Sequence, residues 1–176
     1  MKKIMIFMAI IMVFLVNHVK AEEVKIPNEA IRIRVIANSN STKDQYVKGE
    51  VRRELQLKMR DLLKDAKTID EVRTILNKNI KDFDFIVEKV LKKNNINLEF
   101  DVNYGLNYFP EKEFKGITYD EGYYESIVVT LGEGKGDNWW CVLFPPLCLM
   151  EAEEENTTDI EYKSFIKETI DKFLGN

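Results

Sequence analysis

The residues best able to do chemistry are concentrated in one stretch. Asn138-Trp139-Trp140-Cys141-Val142-Leu143-Phe144-Pro145-Pro146-Leu147-Cys148 holds both cysteines, both tryptophans and half of the four prolines of a 176-residue chain. Such a cysteine pair could form a disulfide, supply a catalytic thiol or provide half of a tetrahedral metal site. A disulfide needs α-carbons within about 7 Å, whereas extended chain between Cys141 and Cys148 would span more than about 20 Å, so the backbone would have to reverse at Phe144-Pro145-Pro146-Leu147. A cis peptide before Pro146 would make that reversal, while an all-trans polyproline step would hold the sulfurs apart. Two readings stay open, a disulfide contributing ~2.5 kcal/mol by the loop-entropy estimate, or two buried free thiols. A nucleophilic cysteine needs a base, and zinc needs two further ligands. The single histidine, His18, lies in a segment expected to be removed. Without an imidazole, Ser-His-Asp and Cys-His catalysis and His-ligated zinc are disfavoured. The chain is therefore expected to be no enzyme and to hold no metal or cofactor.

The N-terminus sets the compartment. Lys2 and Lys3 precede an apolar run from Ile4 to Val16, and Val19-Lys20-Ala21 follows, the pattern of a secretory signal peptide cleaved after Ala21. The run falls short of the ~20 residues a spanning helix needs. Removing residues 1–21 takes away three lysines and moves the net charge from −4 to −7. An acidic product without a basic block argues against nucleic acid and against direct adhesion to anionic lipid. The remaining chain suits a single α+β domain over 22–150, an acidic linker over 151–158 and a C-terminal helix over 159–174.

The elements that must position the Trp-Cys stretch follow from periodicity. Ile31-Arg32-Ile33-Arg34-Val35 alternates as a half-buried strand. Ser41 and Asp44 mark a helix start with Val47, Val51, Leu55, Met59 and Leu62 on one stripe. Thr68 and Glu71 form a capping-box pattern opening one long helix to about Lys93. The expected architecture is a small antiparallel or mixed sheet of about four strands, with an antiparallel pair of long helices on one face and a C-terminal amphipathic helix. Further strands are expected over Ile96–Tyr104, Tyr123–Leu131 and Trp139–Phe144, with Leu106–Gly122 a long loop containing extended pieces. Gly132-Glu133-Gly134-Lys135-Gly136-Asp137 invites a phosphate-loop reading. That reading requires a helix immediately downstream, and a strand follows instead, so a hairpin connection is expected.

Acidic pairs such as Asp82 with Asp84, or Asp120 with Glu121, have the chemistry of glycoside hydrolysis. Among 30 acidic residues their proximity carries little weight. Trp139 and Trp140 are adjacent on a strand and must point to opposite faces, so one is expected in the core and the other outward as a docking residue.

Two segments together resemble a known family. Ile31-Arg32-Ile33-Arg34-Val35-Ile36-Ala37-Asn38-Ser39-Asn40-Ser41 with Asp44-Gln45 resembles the N-terminal signature of the stage II sporulation protein R family. Gly132-Glu133-Gly134 and Asn138 through Cys148 resemble its C-terminal one. The chain departs from the family where Asp120-Glu121-Gly122-Tyr123-Tyr124 stands in place of a Pro-Ala-Gly-Glu-Tyr stretch. The resemblance implies a signal made in the forespore and exported into the space between forespore and mother cell. There it is sensed by a membrane-embedded aspartic protease, stage II sporulation protein GA, which processes the precursor of sigma factor E. Contact with the membrane would come only through that partner. Candidate contact residues are Arg32, Arg34, Asn38, Ser39, Asn138, Trp139 and Trp140, polar groups near strand ends together with exposed aromatic surface. The competing reading is an extracytoplasmic module that stacks aromatic side chains on envelope glycans.

Overall fold

A computed structural model describes residues 29–114, 117–147 and 159–174. The signal-peptide pattern, the whole acidic linker and Cys148 lie outside these. The described chain is α+β, with elements in the order β1 (Ile31–Ile36), α1 (Thr42–Leu63), α2 (Ile69–Lys93), β2 (Phe100–Phe109), β3 (Lys112–Phe114), β4 (Ile117–Tyr119), β5 (Gly122–Leu131), β6 (Asn138–Phe144) and α3 (Asp159–Leu174). The main sheet is mixed, ordered β2-β5-β1-β6, and β3 with β4 form a separate small hairpin. β1 runs parallel to β5 and antiparallel to β6, while β2 is antiparallel to β5.

The period-two pattern of β1 divides the molecule into two apolar layers. Ile31, Ile33 and Val35 point to one face and join Ile127, Val129, Leu131, Cys141 and Leu143 under the buried stripes of α1 and α2. α1 contributes Val47, Val51, Leu55, Met59 and Leu63, and α2 contributes Val72, Leu76, Phe83, Val87, Val90 and Leu91. Both starts are capped as the sequence predicts. Ser41 Oγ accepts from the Asp44 amide, and Thr68 and Glu71 exchange side-chain and backbone hydrogen bonds.

The opposite face carries Arg32 and Arg34 with a smaller, aromatic cluster of Phe109, Tyr119, Tyr124, Trp140, Val142 and Leu147. Ile166 of α3 is buried in this cluster. Further along α3, Phe173 meets Phe144 edge to face, with ring centroids 5.5 Å apart. The C-terminal helix therefore packs on the sheet. A register shift between Ile31 and Arg32 breaks the alternation of β6 at its end, placing both Leu143 and Phe144 in the first cluster.

Three expectations change. The strand expected from Ile96 begins at Phe100, because Asn94 to Leu98 are spent leaving α2. There Asn95 adopts φ +53° and the Ile96 amide bonds back to Leu91. That strand also runs on to Phe109 through residues expected in a loop. Pairing with β5 carries it past Gly105, and Asn107 Nδ2 bonds the Ser126 carbonyl and hydroxyl across the ladder. Finally, Gly132–Asp137 does not close a hairpin, because β1 lies between β5 and β6 and the segment must cross the end of β1. A cis peptide is present at Phe144-Pro145, one position before the Pro145-Pro146 step.

Candidate functional site

The crossing at the end of β1 brings the two sequence signatures together. Lys135 and Gly136 amides donate to the Asn38 and Ala37 carbonyls, at 3.1 and 2.9 Å. Asn38 Oδ1 accepts from the Glu133 amide at 3.0 Å, and Asn40 Oδ1 from the Asp137 amide at 2.6 Å. From the other side, Asn38 Nδ2 and Ser39 Oγ both donate to Asp44 Oδ2 at the first turn of α1. These donors, the Ser39 hydroxyl first, hold the Asp44 carboxyl below the usual carboxylate range. Gln45 Nε2 reaches the Ser39 carbonyl, and Lys48 Nζ reaches the Asp137 carbonyl at 3.1 Å. Residues nearly a hundred positions apart are thus tied into one polar knot at the carboxyl end of β1.

The glycines of this loop serve the crossing. Gly132 and Gly134 take φ +56° and +62°, a region costly for side chains bearing Cβ. A Cβ on Gly136 would lie 2.6 Å from the Ser39 carbonyl carbon and 2.8 Å from Ala37 Cβ. The spacing that suggests a phosphate loop is that of a segment pressed onto another backbone. Asn38 and Ser39, candidate contact residues by sequence, are half-buried parts of this knot, and Asn138 opens β6 opposite Ile36.

Arg32 and Arg34 project from β1 into the aromatic layer. Arg32 is 1% exposed, and its guanidinium carbon sits 3.3 Å from the Tyr124 ring centroid and 5.6 and 5.7 Å from those of Phe109 and Trp140. Its Nε and Nη1 are buried without a hydrogen-bond partner, as is Arg34 Nε, while Arg34 Nη1 donates to the Tyr108 carbonyl. Burial draws both guanidinium pKa values downward. Aromatic faces can stabilise a desolvated cation by ~2 kcal/mol. Arg32 therefore lies inside the folded protein and not on its surface, contrary to its expected place among contact residues. Its alternation with isoleucine signals a half-buried strand, and only the packing of Phe109 and Tyr124 over it shows how far it is enclosed.

The tryptophans take opposite faces, as strand geometry requires, but neither stands free. Trp140 is 9% exposed and meets Phe109 and Tyr119 edge to face, at 5.6 and 4.9 Å. Trp139 is half-buried against the helix-side core, with the Arg52 guanidinium 5.3 Å from its ring centroid. Cys141 is disulfide-bonded. Its sequence-expected partner, Cys148, lies outside the described residues.

Sequence reasoning did not single out a second polar cluster. Glu125 on β5 accepts from Arg73 Nη2 at 2.8 Å and from Tyr104 Oη at 2.6 Å, and Arg73 also meets Asp70 at 2.9 Å. Burial raises the Glu125 carboxyl pKa, yet the Arg73 and Tyr104 hydrogen bonds bring it net below normal. Tyr104 is pushed up by burial and then by Glu125, and Arg73 is raised by its carboxylate partners. The cluster joins α2 to β2 and β5, and nothing in the separate segments signals that closure. Of the acidic pairs, Asp82 is ion-paired to Lys58 at 2.8 Å and Glu121 accepts from the Tyr108 hydroxyl at 2.7 Å. No group of three or more metal-ligating side chains occurs among the described residues.

The interlocked signatures agree with sequence comparison. The profile of the family described as stage II sporulation protein R matches residues 27–154. The chain is 35% identical over 154 residues to stage II sporulation protein R of Bacillus subtilis strain 168, covering 87% of this chain and 69% of that protein. No solved structure matches it. A profile spanning most of the chain and a relative of this identity, both running through the knot and the Trp-Cys strand, establish that the chain belongs to the stage II sporulation protein R family.

Proposed function

We propose that this protein is an exported signal of sporulation that activates a membrane-embedded aspartic protease, stage II sporulation protein GA, and so triggers processing of the sigma-E precursor in the mother cell. Family membership carries the sporulation role. One geometric observation supports a binding function. The two signature segments are bonded into a single unit contiguous with Trp139 and Trp140, a pre-organised surface of the kind that recognises a partner at low ordering cost. The signal-peptide pattern supports export into the space between forespore and mother cell. Activation then requires that binding favour the active arrangement of the protease, since equal affinity for both arrangements shifts neither. The pairing of Cys141 with Cys148 belongs to this reading as a clamp on the end of β6.

The test is co-expression of the exported protein with the protease and its sigma precursor. Cleavage is expected only when all three are present. Equal cleavage without this protein rejects the activator reading.

The second reading, an envelope glycan-binding module, draws on Tyr108 and Tyr123. Both are exposed, 47% and 72%, and they stand edge to face at 5.6 Å. Retention on purified peptidoglycan, lost in a Tyr108→Ala/Tyr123→Ala variant, would favour it over the activator.

A further inference from the structure

β6 ends the main sheet, and among the described residues no strand pairs with its outer side. An edge strand carries a row of free backbone N–H and C=O groups, which makes it a template for an added strand. What distinguishes this edge is the charge around its first residues. Arg52 of α1 lies over the Trp139 ring on one face, and Lys112 Nζ of β3 lies 5.4 Å from the Trp140 ring centroid on the other. Lys48, one turn before Arg52, completes the group. Burial lowers its pKa first. Attraction from Asp137 then opposes repulsion from Arg52 and Lys112, so Lys48 lies within electrostatic reach of both.

Lys48 donates to Gln45 Oε1 and the Asp137 carbonyl, and among the described residues none of the three is in an ion pair. In a chain with 30 acidic and 26 basic residues, three cations gathered beside the Asp137 carboxylate form a local positive field around the half-buried start of the edge strand at Asn138 and Trp139.

We propose that the outer edge of β6 at Asn138–Trp140, flanked by Lys48, Arg52 and Lys112, binds an extended acidic segment of a protein partner by strand addition. The backbone edge supplies hydrogen bonds that do not depend on the partner's side chains. Carboxylates flanking the added strand meet the cations on both faces, which sets register and direction. Trp139 and Trp140 supply the rigid floor over which Arg52 and Lys112 lie. The assignment of this segment to the sporulation protease rests on the activator reading above.

The experiment uses the full exported chain and the protease in neutral phosphatidylcholine nanodiscs, with affinity measured across a salt series. Arg52→Glu/Lys112→Glu changes two exposed side chains, and Lys64→Glu/Lys89→Glu makes the same change of net charge at exposed positions away from β6. Thermal unfolding checks that both variants fold. The β6 variant is expected to bind about tenfold or more weakly, with a shallower salt dependence, and the control within about twofold of the parent. Equal binding by the β6 variant and the parent, or equal loss in both variants, overturns the docking edge while leaving the activator reading intact. A parent chain that neither binds nor activates the protease overturns the activator reading, and with it the assignment of this edge to that partner. Parent retained on phosphatidylglycerol vesicles lacking protease, with the β6 variant released, assigns the cations to a lipid surface and overturns the acidic-segment proposal.

Discussion

Substituting alanine at two glycines should move stability in opposite directions. Gly49 lies within α1 and a Cβ there meets nothing within 4 Å, so Gly49→Ala should stabilise the protein by about 0.5–1 kcal/mol through reduced unfolded-state freedom. Gly136 lies in the crossing segment, where an added Cβ drives into the Ser39 peptide and Ala37 Cβ. Unlike Gly132 and Gly134, it is not in the left-handed region, so the penalty comes from close approach alone. Overpacking against backbone costs about 1–3 kcal/mol. Relief by lifting the segment breaks the Gly136-to-Ala37 and Lys135-to-Asn38 hydrogen bonds, at about 1 kcal/mol each. Gly136→Ala should therefore cost about 2–5 kcal/mol, a gap of about 2.5–6 kcal/mol between two chemically identical changes. Urea unfolding followed by tryptophan fluorescence reads this directly as a shift in midpoint at constant slope. A Gly136→Ala protein within about 1 kcal/mol of the parent would refute the rigid knot, since the crossing segment could then leave the end of β1 without loss.

Two further outcomes are expected. The folded Glu125 carboxyl pKa lies below its unfolded value, so its contribution is fully present above the unfolded pKa and is lost as pH falls through the folded one. Glu125→Gln should cost about 1 kcal/mol at neutral pH, discounted for the 41% exposure of the Arg73 side chain, and should flatten the acid limb of a stability-against-pH curve. An unchanged acid limb refutes the assignment. For the cysteines, mass spectrometry of unreduced protein should find it two hydrogens lighter than the reduced form, with iodoacetamide labelling neither Cys141 nor Cys148 until a reductant is added. Labelling of either before reduction rules out their mutual bridge.

What the sequence determined by itself is local and covalent. Caps at Ser41 and Thr68 are written in adjacent residues, because the groups they satisfy lie within one turn. The stripes of α1 and α2 and the alternation of β1 follow from helix and strand periods, and they specify which face is dry. The family resemblance was legible for the same reason, since it rests on two unbroken strings of residues. The tertiary structure decided what depends on neighbours distant in the chain. The strand order puts β1 between β5 and β6, and this turns an apparent hairpin loop into a crossing that locks Asn38 and Asn40. It encloses Arg32 among Phe109, Tyr124 and Trp140, and it closes Glu125 on Arg73 and Tyr104. It also gathers Lys48, Arg52 and Lys112 around the two tryptophans. Each of these joins residues through pairing order and not through spacing along the chain. A one-dimensional pattern records a residue's own face, but what that face meets is set only when the sheet is assembled.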